Sequence, residues 1–176
     1  NALDDNTTGS INANTLNTLS GAAVNLNTAF DSGGISNLGD QDVTLTDSSL
    51  AASVLNALNG NTTGSIDANT LNTLTGAAVD LNTAFDSGGI SNLSDQDVTL
   101  TDTSLTASVL NALDDNTTGS IDASSITALT GTAAELIEAV TANGITGLGD
   151  EAITVDSGTA TTAQANALAD ETSGIV

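Results

Sequence analysis

Asn111-Ala112-Leu113-Asp114-Asp115-Asn116-Thr117-Thr118-Gly119-Ser120-Ile121-Asp122-Ala123 restates Asn56-Ala57-Leu58-Asn59-Gly60-Asn61-Thr62-Thr63-Gly64-Ser65-Ile66-Asp67-Ala68, which in turn restates residues 1–13. The copies open at Asn1, Asn56 and Asn111, and Asn166-Ala167-Leu168 opens the next at the same interval. The chain therefore divides into repeat 1 (1–55), repeat 2 (56–110), repeat 3 (111–165) and the start of a fourth (166–176). A fixed period of this size signals an array in which each unit buries its apolar face against its neighbours. No internal domain boundary interrupts it, so one continuous stack is expected.

Outward from that segment, two helical stripes alternate with strand-like runs. Leu50, Val54, Leu55 and Leu58 share one face of a helix, and Ala78, Leu81, Ala84 and Phe85 share another. Asp47-Ser48 and Asp102-Thr103 stand as N-cap candidates for the first helix type, and Thr75-Gly76 for the second. Val98-Thr99-Leu100-Thr101 alternates apolar and polar, the mark of a strand with one buried face. Gly64 to Ala68, Leu71 to Leu74 and Gly89 to Leu93 also lie between the helices and are too short to assign to an element from pattern alone.

Leu55-Asn56 and Leu81-Asn82 occupy equivalent points about half a period apart. The unit thus reads as two coils of about 27–28 residues, each with a strand, a helix and loops, a length within the range of strand-plus-helix coils. The predicted fold is α/β, a repeat solenoid with short parallel strands. A helical-hairpin array fits the β-branched runs poorly, and a helix-free β-solenoid fits the helical stripes poorly.

The composition excludes much. The chain has no Lys, Arg, His, Cys, Met, Trp, Tyr or Pro, and its net charge is −22. Nucleic acid is excluded as a partner because phosphate binding needs cationic side chains. Anionic membrane surfaces would repel the chain, and no apolar run approaches the length of a membrane span. With 39% apolar residues at recurring positions, the chain is not expected to be disordered. Phe30 and Phe85 are its only aromatics, so small aliphatics must fill the core. The absence of Lys and Arg removes tryptic cleavage sites, and salt screens exposed carboxylates. Both point to a saline, extracellular setting. Without an initiating Met, and with ends inside the repeat, the chain reads as a piece of a longer protein or a processed subunit.

Comparison of the copies separates packing from chemistry. Ile11, Ile66 and Ile121 correspond, as do Leu19, Leu74 and Leu129, and Leu26, Leu81 and Leu136. Asparagine recurs at Asn27 and Asn82 and at Asn56, Asn111 and Asn166, which suggests amides satisfying backbone groups in the loop or the adjoining coil. A glycan-binding array is the functional alternative, but aromatic platforms are missing.

An enzyme is not expected. General acid–base chemistry usually draws on His, Lys, Cys or Tyr, and here only carboxylates remain. A glycosidase-type pair at Asp4-Asp5 or Asp114-Asp115 is replaced by Asn59-Gly60 in the middle copy. Calcium is the more serious ligand, since it takes carboxylate, amide and carbonyl oxygens. Its candidate ligands are Asp40 and Asp42, Asp95 and Asp97, and the loop of Asp114 and Asp115 running to Asp122. Neither loop type matches the EF-hand or the glycine-rich nonapeptide of calcium β-rolls. The competing role for these residues is to cap helices and initiate turns. Thr44-Leu45-Thr46 and Thr99-Leu100-Thr101 would line up threonines as an ice-binding face does, but the third copy reads Thr154-Val155-Asp156.

Several segments resemble tandem repeats of very large secreted bacterial surface proteins, marine and cyanobacterial, often grouped with hemolysin-type or RTX adhesins. They are Leu50-Ala51-Ala52-Ser53-Val54-Leu55-Asn56, Asn61 to Ala68, Leu129 to Leu136 and Gly144 to Ala152. Thr161 to Leu168 is similar to a further repeat type of that group. The resemblance implies an extracellular, cell-surface protein, type I-secreted, whose repeats form a stalk, sheath or filament. It carries over no calcium dependence, because the glycine-rich nonapeptides are absent. The expected partners are neighbouring repeats or further copies of the chain end to end, with cations around the carboxylates. A ligand-binding solenoid, for Ca²⁺, ice or glycan, is the alternative.

Overall fold

The computed structural model describes residues 5–156, 158 and 160–175. The protein is α/β: short parallel strands alternate with helices along the chain. The helices among the described residues are α1 (Ala23–Phe30), α2 (Ala52–Asn61), α3 (Ala78–Phe85), α4 (Ala107–Asn116), α5 (Ala133–Thr141) and α6 (Thr162–Glu171). Repeat 1 contributes strands β1 (Ile11–Asn12), β2 (Thr18–Gly21), β3 (Ile35–Ser36), β4 (Asp42–Leu45) and β5 (Ser49–Ala51). Repeat 2 contributes β6 (Ile66–Asp67), β7 (Thr73–Gly76), β8 (Ile90–Ser91), β9 (Asp97–Leu100) and β10 (Ser104–Thr106). Then follow β11 (Ile121–Asp122), β12 (Ala128–Gly131), β13 (Ile145–Thr146) and β14 (Ala152–Val155).

Every described pairing joins a residue to one 23 or 24 positions further on. Leu50 pairs with Leu74, Leu74 with Val98, Val98 with Ile121, and Ile121 with Ile145. These make the longest sheet, in the order β5-β7-β9-β11-β13. It takes one strand of each kind: two that precede helices, the linker strand, and two that follow helices. A helix takes over where a sheet stops. One strand step before Leu50 is Leu26 in α1, and one step after Ile90 is Asp114 in α4. Successive helices open at Ala23, Ala52, Ala78, Ala107 and Ala133, and each packs against the next. The intervals between helix starts are longer than the strand step.

The core is the seam between helices and strands. In α2 the buried positions are Ala52, Leu55 and Leu58, and in α3 they are Ala78, Leu81 and Ala84. Opposite them lie Ile66, Leu74, Val98, Leu100, Ile121 and Leu129, all buried. Leu50, read from its spacing as helical, belongs to β5, because its backbone is used in pairing with β7. Each of the first five helices opens on a buried alanine. The small side chain lets the helix start approach the strand row: a Cβ on Gly131 would already stand 3.2 Å from that of Ala107.

The caps differ from the sequence expectation. Asp47 and Asp102 do not cap the helices that follow them. Asp47 Oδ2 accepts from Ala23 N, one row back, and Asp102 Oδ2 accepts from Ala78 N, each at 2.8 Å. The cap of α3 is Ala77, not Thr75-Gly76, and its side chain can accept nothing. In the third copy the corresponding alanine is Thr132, and α5 closes a local capping box. Thr132 Oγ1 accepts from Glu135 N, and Glu135 Oε2 accepts from Thr132 N at 2.9 Å. Thr161 and Gln164 build the same box at α6.

Candidate functional site

The polar features gather in the loop before each linker strand, at Asn37 to Asp42, Asn92 to Asp97 and Gly147 to Ala152. Asn37 and Asn92 have φ of 61° and 59°, and Gly147 has 81°. This left-handed backbone turns their carbonyls toward a buried side chain, Gln41 in the first copy and Gln96 in the second. The Gln41 amide nitrogen donates to Leu16 O (3.4 Å), Asn37 O (3.1 Å) and Asp40 Oδ1 (2.5 Å). Gln96 donates to Leu71 O (3.2 Å), Asn92 O (3.2 Å) and Asp95 Oδ1 (2.9 Å). Gln41 Oε1 accepts from Gly39 N at 2.8 Å. Thr62 and Thr117 donate their hydroxyls to the carbonyls of Gln41 and Gln96 and accept from the N–H of Gly64 and Gly119. A side chain on either glycine would collide with those same carbonyls. Beside Gln96 opens a polar depression of about 370 Å³, lined by Asn69, Leu71, Asn72, Asn92, Asp95 and Gln96 among others.

Of the seven aspartates singled out as calcium ligands, Asp115 follows Asp114 within α4, and the other six are placed as follows. Asp40 and Asp95 hold the glutamine amides. Asp42 and Asp97, two positions on, accept instead from Ser65 N and Ser120 N of the next strand row, at 2.8 and 2.9 Å. The alternate spacing thus turns each pair to different partners. Asp114 lies in α4 over Gly144, where its equivalent Asn59 lies over Gly89. Burial, and secondarily Asp115, raises the pKa of Asp114. Asp122 receives the N–H of Ser124 at 3.0 Å, and the Ser124 hydroxyl and N–H lower its pKa. Among the described residues no three acidic side chains come together as a metal group. Asp4 lies outside the described residues.

The recurring asparagines connect helices. Asn27 Nδ2 donates to Val54 O of α2, Asn56 to Asp80 O of α3, Asn82 to Val109 O of α4, and Asn111 to Glu135 O of α5. These amides serve the backbone of the next helix, a role the sequence suggests. The run stops at Ile137, which replaces asparagine in α5. The threonines form mixed rows: Thr99 pairs with Thr75 on one side and Asp122 on the other, and Thr44 with Ser20 and Asp67. Sequence reasoning missed the buried glutamines, since each lies between two aspartates and outside the apolar pattern of any helix or strand. The recurrence of Gln41 one period later as Gln96, with Glu151 in the third copy, could have marked it.

No protein-family description, no curated protein and no solved structure matches this chain. No described helix is long and apolar enough to cross a membrane.

Proposed function

We propose that this chain is a structural segment of an extracellular bacterial surface protein, a stretch of α/β solenoid serving as stalk or filament. The observation that carries this reading is the register, a uniform step of 23 or 24 positions in every described parallel pair. One such step along the strands is then one coil. The strand order is monotonic within each sheet, without the reversal that makes a ligand crevice in a doubly wound sheet. Hydrogen bonds between rows join immediate neighbours, so length grows with repeat number. The 22 carboxylates, unopposed by cations, keep such a rod soluble and draw a diffuse cloud of counterions.

The first row differs from the later ones. Leu16 is 46% exposed, whereas Leu71 and Ile126, at the same position in later copies, are 2% exposed. Catalysis has no support from the side chains on hand, and an ice-binding grid is disfavoured by Asp67 and Asp122 within its rows. The test is small-angle scattering on chains of increasing repeat number. With strands about 4.8 Å apart and a little over two steps per copy, each copy should add about 11 Å to the longest dimension. Growth with the cube root of mass would refute the solenoid and the spacer role together.

A further inference from the structure

The third copy breaks the buried-glutamine pattern in a way that changes its chemistry. Where Gln41 and Gln96 are 2% and 3% exposed, Glu151 is 0% exposed. Its setting is otherwise that of the other copies. Thr172 donates to Glu151 O at 3.0 Å and accepts from Gly174 N, as Thr62 and Thr117 do in theirs. Glu151 Oε2 accepts from Gly149 N at 2.6 Å, as Gln41 Oε1 accepts from Gly39 N. Glu151 Oε1 therefore takes the place of the amide nitrogen, and it is buried with no hydrogen-bond partner.

In the first two copies that place is ringed by acceptors: two backbone carbonyls and one aspartate oxygen. Their counterparts here are Ile126 O, Gly147 O and Asp150. Gly147 keeps the left-handed backbone of Asn37 and Asn92, and Ile126 keeps the turn bond to Ala123 O that Leu16 and Leu71 make to Ala13 O and Ala68 O. An NH₂ group satisfies such a ring and a carboxylate oxygen does not. Oxygens that face one another in this way need a cation or a hydrogen-bond donor between them.

We propose that Glu151, Asp150 and the carbonyls of Ile126 and Gly147 form a site for one hard cation, Ca²⁺, in the third copy alone. The two carboxylates match its charge, and mixed carboxylate and carbonyl oxygens are its usual ligands. The spacing fits as well. Oxygens about 2.4 Å from a shared ion, at angles of about 80–90°, lie about 3.1–3.4 Å apart. The corresponding separations from the glutamine nitrogen to the carbonyls are 3.1 to 3.4 Å. The paired aspartates of the sequence do not point to this set, because the ion replaces an amide rather than bridging a pair such as Asp40 and Asp42.

The test is calorimetric titration of CaCl₂ into the full chain, with thermal unfolding in calcium and in chelator, all at physiological ionic strength. Expected is one site per chain above the diffuse background, and a midpoint that rises with millimolar Ca²⁺. Glu151→Gln restores the amide of the other copies, so it should fold, lose at least tenfold in affinity and no longer respond to Ca²⁺. Asp156→Asn, which removes one exposed charge elsewhere, should bind as the parent does. Gln96→Glu should create a second site. The proposal is overturned if the parent binds no more than Glu151→Gln, or if both midpoints shift equally. Either result would mean that a proton or a water meets the Glu151 oxygen.

Discussion

Replacing Asp102 tests whether one loop holds the helix of the preceding row. The carboxylate sits between β9 and β10 and accepts from Ala78 N at 2.8 Å, at the start of α3. Ala77 offers no substitute acceptor. Loss of an N-cap acceptor costs about 0.5–2 kcal/mol, and a charged acceptor lies toward the upper end. In a chain of −22, however, removing any acid also relieves repulsion, by a few tenths of a kcal/mol at an exposed site. Asp102→Ala alone would mix the two effects. Asp102→Asn removes the same charge and keeps an acceptor oxygen, so the difference between the variants isolates the hydrogen bond. We expect Asp102→Ala to be less stable than Asp102→Asn by about 1 kcal/mol, or about 2–4 °C in Tm for a chain of this size. Thermal and urea unfolding followed by circular dichroism would measure it. Equal midpoints for the two variants would refute the idea that this loop caps α3. Ala77→Thr combined with Asp80→Glu should add stability independently, because that box serves other N–H groups.

Two further outcomes are expected. Leu71→Ala should cost about 2–5 kcal/mol in urea unfolding, and Leu16→Ala less than about 0.5, although both change the same repeat position. Equal losses would contradict the end exposure of Leu16. The acid limb of the stability profile carries two signs. Burial raises the pKa of Asp114, so its ionised form is disfavoured in the fold, and the lost stability returns as pH falls through the raised value toward the ordinary 3.8. Asp114→Asn, the amide found at Asn59, should therefore raise Tm at about pH 7, by an amount that shrinks toward about pH 4. Glu135 is lowered by the backbone N–H and then the hydroxyl of Thr132, so its contribution is present above the ordinary 4.5 and fades as pH falls through its folded value. Glu135→Gln should flatten that part of the profile, and an unchanged slope would argue against the capping box.

Much of the fold is legible in local pattern. Ala78, Leu81 and Ala84 declare one face of α3, and Val98 with Leu100 declares the buried side of β9, because side-chain periodicity follows from backbone geometry alone. Leu50 misleads for the same reason: at a strand-to-helix junction it fits either period, and pairing with Leu74 decides. The candidate site was less legible. Asp40-Gln41-Asp42 presents two carboxylates and conceals the residue that organises the loop, since burial of Gln41 depends on the carbonyl of Leu16, a row away.

The sequence by itself determined that this protein is a tandem repeat of α/β type, with small aliphatic faces and an unopposed acidic surface. Only the tertiary structure decided which residues meet across rows: Asp47 with Ala23, Asn27 with Val54, and Gln41 with Leu16. The reason lies in two lengths. Paired strands stand about 4.8 Å apart, while packed helices need about 8–10 Å. The strand step, Leu50 to Leu74 to Val98, is shorter than the helix step, Ala52 to Ala78 to Ala107. The sequence period holds no whole number of strand steps, and for that reason the repeat could not reveal its own register.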